Sequence, residues 1–132
     1  MGCIMSRSDV VIIGAEQAFA AATRDQLVAL GWRVVCLAHD EFEGQLDAVS
    51  DETVLIVVLS PSTEGSLAAI RAFRARHGYG PGIIAVADRD LLTKALDAGA
   101  DSFLTEEDAL EILPSAILSV RRMASRWRPL LD

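Results

Sequence analysis

The stretch VLIVVLSPSTEG, Val54 to Gly65, runs six aliphatic residues into a turn containing serine and proline, and then reaches a glycine. An aliphatic run of this length, bounded by turn-forming residues, fits a strand buried on both faces. Ser60 to Gly65 then fit a loop that opens a helix. A continuous rather than alternating pattern implies a parallel sheet covered by helices on both sides, and the rest of the chain supports that arrangement.

Outward from this run, VVIIG (10–14), VVCL (34–37), IIAV (83–86) and SFL (102–104) are further strand candidates, rich in β-branched residues and bounded by Gly, Asp or Ser. Between them, residues 16–30 place Phe19, Thr23, Leu27 and Leu30 on one helical face, and residues 66–76 do the same with Leu67, Ile70 and Phe73. Shorter helices fit 41–49 and 90–98. The last helix is expected near Asp108, with Thr105 as N-cap and Asp108 closing a capping box. Strands separated by helices make parallel right-handed crossovers. The expected fold class is α/β, a three-layer sandwich with a doubly wound five-stranded parallel sheet of order 2-1-3-4-5, flavodoxin-like. Its functional crevice is then at the carboxyl ends of the first and third strands.

Composition narrows the function. The chain has 132 residues, enough for one domain with a single core. Its longest aliphatic run, Val54 to Leu59, is far short of a bilayer span, so no membrane association is expected. Cys3 and Cys36 form no disulfide framework, which fits a reducing cytoplasm. His39 and His77 stand far apart beside loop signals and read as solvent-facing, and no ligand set for a metal is present. The formal charge of −7 argues against nucleic acid as a partner. That charge is uneven: RRMASRWRPLLD, the last twelve residues, carries four Arg and one Asp, or +3, which leaves −10 for the first 120.

The run ALDAGADSFLTEED (95–108), the pair VVIIGAE and LVALGWRV, and the spacing of Pro61 and Gly65 after Val57 together resemble the receiver domain of bacterial response regulators. The resemblance spans Val10 to Met123, and it implies a domain at 9–123 between a leader at 1–8 and a tail or helix extension at 124–132. It also implies five chemical positions. The acidic pair that holds Mg²⁺ falls on Gly14 and Ala15, the phosphoryl-accepting aspartate on Val57, the hydroxyl after the fourth strand on Ala87, and the lysine on Glu106, where the charge is reversed. The aromatic switch position falls on Phe103. A hydrocarbon at Val57 has no oxygen to attack phosphorus, so phosphotransfer by the family route is not expected. Glu16 alone is a weak Mg²⁺ site, and Glu16 and Glu106 read as first-turn charges at helix N-termini. Ser60, Ser62 and Thr63 read as caps. No cofactor is expected.

Leu113, Ile117, Val120, Ala124, Trp127 and Leu131 alternate spacings of four and three, a heptad seam. Trp127, Leu130 and Leu131 are candidates for a contact beyond the domain, with a protein partner, a downstream output domain or a second copy in a homodimer. Pro129 is expected to end or kink that helix. The expected function is therefore a non-catalytic pseudo-receiver, not an enzyme, which works through protein contacts as the head of a larger signalling protein. The face implied by the resemblance is the helix at 90–98, the last helix and the fifth strand. An alternative is a small Rossmann-like nucleotide-binding domain, since VVIIGAEQAF and ALGWRVV also look like a first βαβ unit. However, Glu16 and Phe19 occupy the positions where a pyrophosphate needs glycine.

Overall fold

A computed structural model of the chain describes residues 10–14, 18–38, 53–59, 63–78 and 81–131, with the side chains of 18, 19, 110 and 121–131 outside that description. The leader, Ala15, Glu16, His39, the helix expected at 41–49, Ser60, Pro61 and Ser62 therefore lie outside the described residues. So do the side chains of Phe19, Ala124, Trp127, Leu130 and Leu131.

The elements are β1 (Val10–Ile13), α1 (Ala18–Ala29), β2 (Val34–Leu37), β3 (Val54–Val58), α2 (Thr63–His77), β4 (Gly82–Val86), a 3-10 turn (Arg89–Leu91), α3 (Leu92–Ala98), β5 (Ser102–Leu104) and α4 (Glu106–Leu131). The sheet is parallel throughout with order β2-β1-β3-β4-β5, as the strand and helix pattern predicts. Each strand of the central trio is buried along its whole length, while the edge strand β2 is only partly covered.

Two cores form because strand residues alternate between the faces. Val11, Ile13, Leu55, Val57, Ile83 and Ala85 face Leu67, Ile70 and Phe73 of α2 and Ala95 and Ala98 of α3. Val10, Ile12, Ile56, Val58 and Ile84 face Leu27 of α1 and Ala109, Leu113, Ile117 and Val120 of α4. Each fully buried aliphatic side chain contributes about 1.5–3 kcal/mol, so these two layers dominate the stability.

Several expectations need correction. Leu113, Ile117 and Val120, the first half of the four-three stripe, are buried against the sheet. Leu30 lies one residue past the end of α1 and is 59% exposed, whereas Thr23 and Leu27 are buried as expected. Helix α2 begins at Thr63, three residues early, and α4 begins at Glu106, directly after Thr105. Thr105 does precede the helix, but its hydroxyl donates to the Asp108 carboxylate at 3.2 Å rather than pairing with that residue's amide. His77 is half-buried, not solvent-facing: its ring stacks on Phe73 with centroids 4.6 Å apart, and its Nε2 is buried with no hydrogen-bond partner. Helix α4 runs through both Pro114 and Pro129. Buried residues on both sides of Pro114 hold the helix where one backbone bond is missing, and only two helical residues follow Pro129.

Candidate functional site

In a doubly wound sheet the crevice opens where neighbouring connections leave on opposite faces, outside the carboxyl ends of the strands. Here that is the end of β1 and β3. Gly14 follows β1, donates its amide to the Leu37 carbonyl at 2.8 Å, and has φ +114°, a conformation that favours glycine. Val57 is in register with Ile13 on one side and Ala85 on the other, is 0% exposed, and belongs to a hydrocarbon cluster that includes Leu55, Leu59 and Ala87. The Leu59 amide donates to the Val86 carbonyl, and the Ser66 hydroxyl reaches back from α2 to the Leu59 carbonyl at 3.4 Å. These bonds tie the start of the loop to the helix beyond it.

Beside them, Ala87 is buried and donates its amide to the Leu104 carbonyl, which joins the ends of β4 and β5. Phe103 is half-buried and packs on the same apolar cluster as Val57. Glu106 opens α4 and is exposed. The fold thus brings Gly14, Val57, Ala87, Phe103 and Glu106 to one edge of the sheet. Among the described residues at this edge, Asp88, Asp90, Glu106, Glu107 and Asp108 are exposed acids. Among the described residues no group of three His, Cys, Asp or Glu could hold a metal ion, and no helix is long and apolar enough to cross a membrane. Val57 itself is a hydrocarbon and carries neither a nucleophile nor a titratable proton.

The polar centre that the sequence reading missed is at the opposite end of the sheet. Arg74 of α2 is 8% exposed and pairs with Asp101 in the turn between α3 and β5. A signal for it existed: Arg74 stands four residues after Ile70 and seven after Leu67, on the apolar face of its helix, where a lone cation needs a buried acceptor.

No protein-family model and no curated protein matches the chain. Solved structures do. A response-regulator signal receiver domain from Bermanella marisrubri is 26% identical over 87% of this chain and 97% of that one, with a TM-score of 0.69. The isolated receiver domain of RcsB from Salmonella enterica serovar Typhimurium, in its apo form, is 22% identical over 86% of this chain and 87% of its own, with a TM-score of 0.68. A longer RcsB response regulator chain from Salmonella typhimurium matches 89% of this chain, which covers 61% of that chain at 22% identity and a TM-score of 0.68. Sheet order, helix placement and these likenesses agree: the chain has the CheY-like, flavodoxin-type fold of response-regulator receiver domains.

Proposed function

We propose that this is a pseudo-receiver, a signalling domain that acts through protein contacts without aspartyl phosphorylation. The observation that carries the reading is Val57, wholly buried among hydrocarbon at the end of the central strand, where the receiver resemblance puts the phosphoryl acceptor. In the same reading Gly14 and Ala15 replace the metal-binding acids, Ala87 the hydroxyl and Glu106 the lysine, while Phe103 keeps an aromatic ring without a hydroxyl. A crowd of buried carboxylates costs repulsion and desolvation, whereas a buried valine contributes about 1.5–3 kcal/mol. The exchange favours a domain that holds one state.

The reading extends to a receiver-type head attached to an output module, with Trp127, Leu130 and Leu131 as contact residues; the longer RcsB chain shares the fold over about three-fifths of its length. The nucleotide-binding alternative is not favoured, because the sheet order and the neighbours are of receiver type. The test is incubation of the chain with acetyl phosphate and Mg²⁺, followed by intact-mass measurement. The expected result is no phosphoryl adduct. A stable adduct on any residue at the carboxyl edge of the sheet would overturn the reading.

A further inference from the structure

Helix α3 is thinly packed. Its seven residues bury only Ala95 and Ala98, and the 3-10 turn that leads into it buries none. Leu92 and Leu96, the large apolar residues of α3, are 40% and 45% exposed. By contrast, α2 sets Leu67, Ile70 and Phe73 into the core beside it, and α4 sets Leu113, Ile117 and Val120 into the core on the other face. A methyl group removes less apolar surface from water than a leucine or phenylalanine side chain does. A helix this short does not hold its shape alone. The attachment of α3 to the fold therefore rests on its ends.

At its start the attachment is slight: Leu91 packs half-buried on the core, and Asp88 makes no side-chain hydrogen bond to cap the 3-10 turn. At the other end the chain closes on Gly99, with φ +127°. There the Gly99 amide donates to the Leu96 carbonyl and the Ala100 amide to the Ala95 carbonyl, each at 3.1 Å. Arg74 of α2 lies against this closure. A Cβ at Gly99 would come within 2.6 Å of Arg74 Cγ, and Arg74 Nε donates to the Gly99 carbonyl at 2.8 Å. The rest of the guanidinium is anchored elsewhere. Nη1 donates to the carbonyls of Gly78 and Pro81, between α2 and β4, and Nη2 donates to Asp101. Asp101 is itself fixed to β4, because its amide donates to the Ile83 carbonyl and its carboxylate accepts the Ile83 amide. Arg74 thus stands on the body of the fold and reaches α3 through Gly99.

We propose that Arg74 is the latch of α3: the 3-10 turn and the helix, residues 89–99, open together as one unit while the rest of the fold stays formed, and the bond from Arg74 to Gly99 sets how often they do so. Segments with few buried apolar contacts open at free energies below that of global unfolding. Charge assistance strengthens the Arg74 bond, and the anchors at Gly78, Pro81 and Asp101 keep the donor aimed while α3 is away. Leu92 and Leu96 move with the unit, so the latch also sets how steadily these exposed side chains are presented. The inference goes beyond the pseudo-receiver reading and holds whatever chemistry survives at Val57.

The test is native-state hydrogen exchange of the full 132-residue chain, followed amide by amide by NMR at urea concentrations below the unfolding transition. In the wild type, the amides of Ala98, Gly99 and Ala100 are expected to exchange through an opening that depends weakly on urea, whereas those of β3 and β4 follow the steep dependence of global unfolding. Arg74→Lys loses the planar fork and is expected to speed the α3 amides roughly tenfold or more. Asp101→Asn loosens one anchor of the guanidinium and is expected to speed them by a smaller factor, which keeps the test open if the lysine variant folds poorly. Ile117→Val, on the opposite face of the sheet, is the control: it should speed the β3 and β4 amides and leave the α3 opening unchanged. Wild-type α3 amides that follow β3 at every urea concentration, α3 amides indifferent to both latch variants, or a control that moves α3 as much as β3 would each overturn the proposal. The acetyl phosphate result bears on none of these outcomes, so the two readings fail separately.

Discussion

Arg74 Nη2 donates to Asp101 Oδ2 across 2.8 Å, and the same carboxylate oxygen accepts the Ile83 amide at 2.9 Å. Nε donates to the Gly99 carbonyl at 2.8 Å, and Nη1 donates to the carbonyls of Pro81 at 2.7 Å and Gly78 at 3.0 Å. One guanidinium thus joins the end of α2, the approach to β4 and the turn before β5. Arg74→Ala leaves two buried carbonyls and a partly buried one without this donor and a carboxylate without its cation, and is expected to cost about 3 kcal/mol in urea denaturation. Arg74→Lys recovers little of that, because an ammonium cannot reproduce the planar fork. A loss below about 0.5 kcal/mol for the alanine variant would mean the network contributes no more than a surface pair.

That clamp also marks where sequence reading stops. The five strands and their order were legible because continuous β-branched runs separated by helical period admit few topologies. The edge carrying Gly14, Val57, Ala87, Phe103 and Glu106 was legible because the receiver resemblance singles out those positions and the strand order brings their strand ends together. Arg74's place on the apolar face of α2 signals burial, but its partners were not legible, since they are two carbonyl-bearing turns and an acid 27 residues away, and backbone carbonyls leave no mark in a sequence. The passage of α4 through Pro114 was hidden for a related reason: local propensity opposes it, and only burial on both sides of the proline outweighs that cost.

Gly82 and Val120 form a tight pair. A Cβ at Gly82 would run into Val120 Cγ1, a branched and buried group with little room to yield. Gly82→Ala is expected to destabilise by about 2 kcal/mol through overpacking. Val120→Ala in the same chain removes the obstacle, so the double variant should be more stable than the sum of the two single losses by about 1 kcal/mol. Strict additivity would show that α4 shifts freely at this point.

Thr23 faces the core from α1 with 0% exposure, and its Oγ1 has no hydrogen-bond partner. Replacing a buried unpaired hydroxyl with a methyl of similar shape removes a desolvation penalty. Thr23→Val is expected to stabilise by about 1 kcal/mol, read as a raised urea midpoint with unchanged slope. A lowered midpoint would count against the unpaired hydroxyl.

Cys36 sits half-buried on the edge strand β2, and burial pushes its thiol pKa up; nearby Arg24 pulls it down and Asp25 pushes it up, both by smaller amounts. The thiolate is the reactive form. With Cys3 replaced by serine, alkylation of Cys36 by iodoacetamide at about pH 8 should be slower in the folded chain than in urea, and should climb only at more alkaline pH. Arg24→Ala should slow it further. Because the folded pKa is raised, this thiol's contribution to stability is complete below the unfolded pKa and is lost as pH rises through the folded one. Equal rates in folded and unfolded chains would contradict this ordering.

Restoring the acceptor carboxylate tests how far the pocket around Val57 has become core. Val57→Asp places an acid at a position with 0% exposure among Ile13, Leu55, Leu59 and Ala87. Desolvation raises its pKa above the unfolded value of about 3.9. The carboxyl is then tolerated while protonated, and the penalty appears as pH rises through the raised folded pKa. Relative to Val57→Asn, which does not titrate, Val57→Asp should be about equally stable near pH 4 and fall behind it toward pH 8, with a loss of about 3 kcal/mol against wild type at neutral pH. Adding an acid at Gly14 does not repair this, since φ +114° there strains any side chain by about 1–3 kcal/mol. Acetyl phosphate should leave the variant unmodified. A Val57→Asp chain as stable as wild type that accepts a phosphoryl group would show that a working site survives around the missing aspartate.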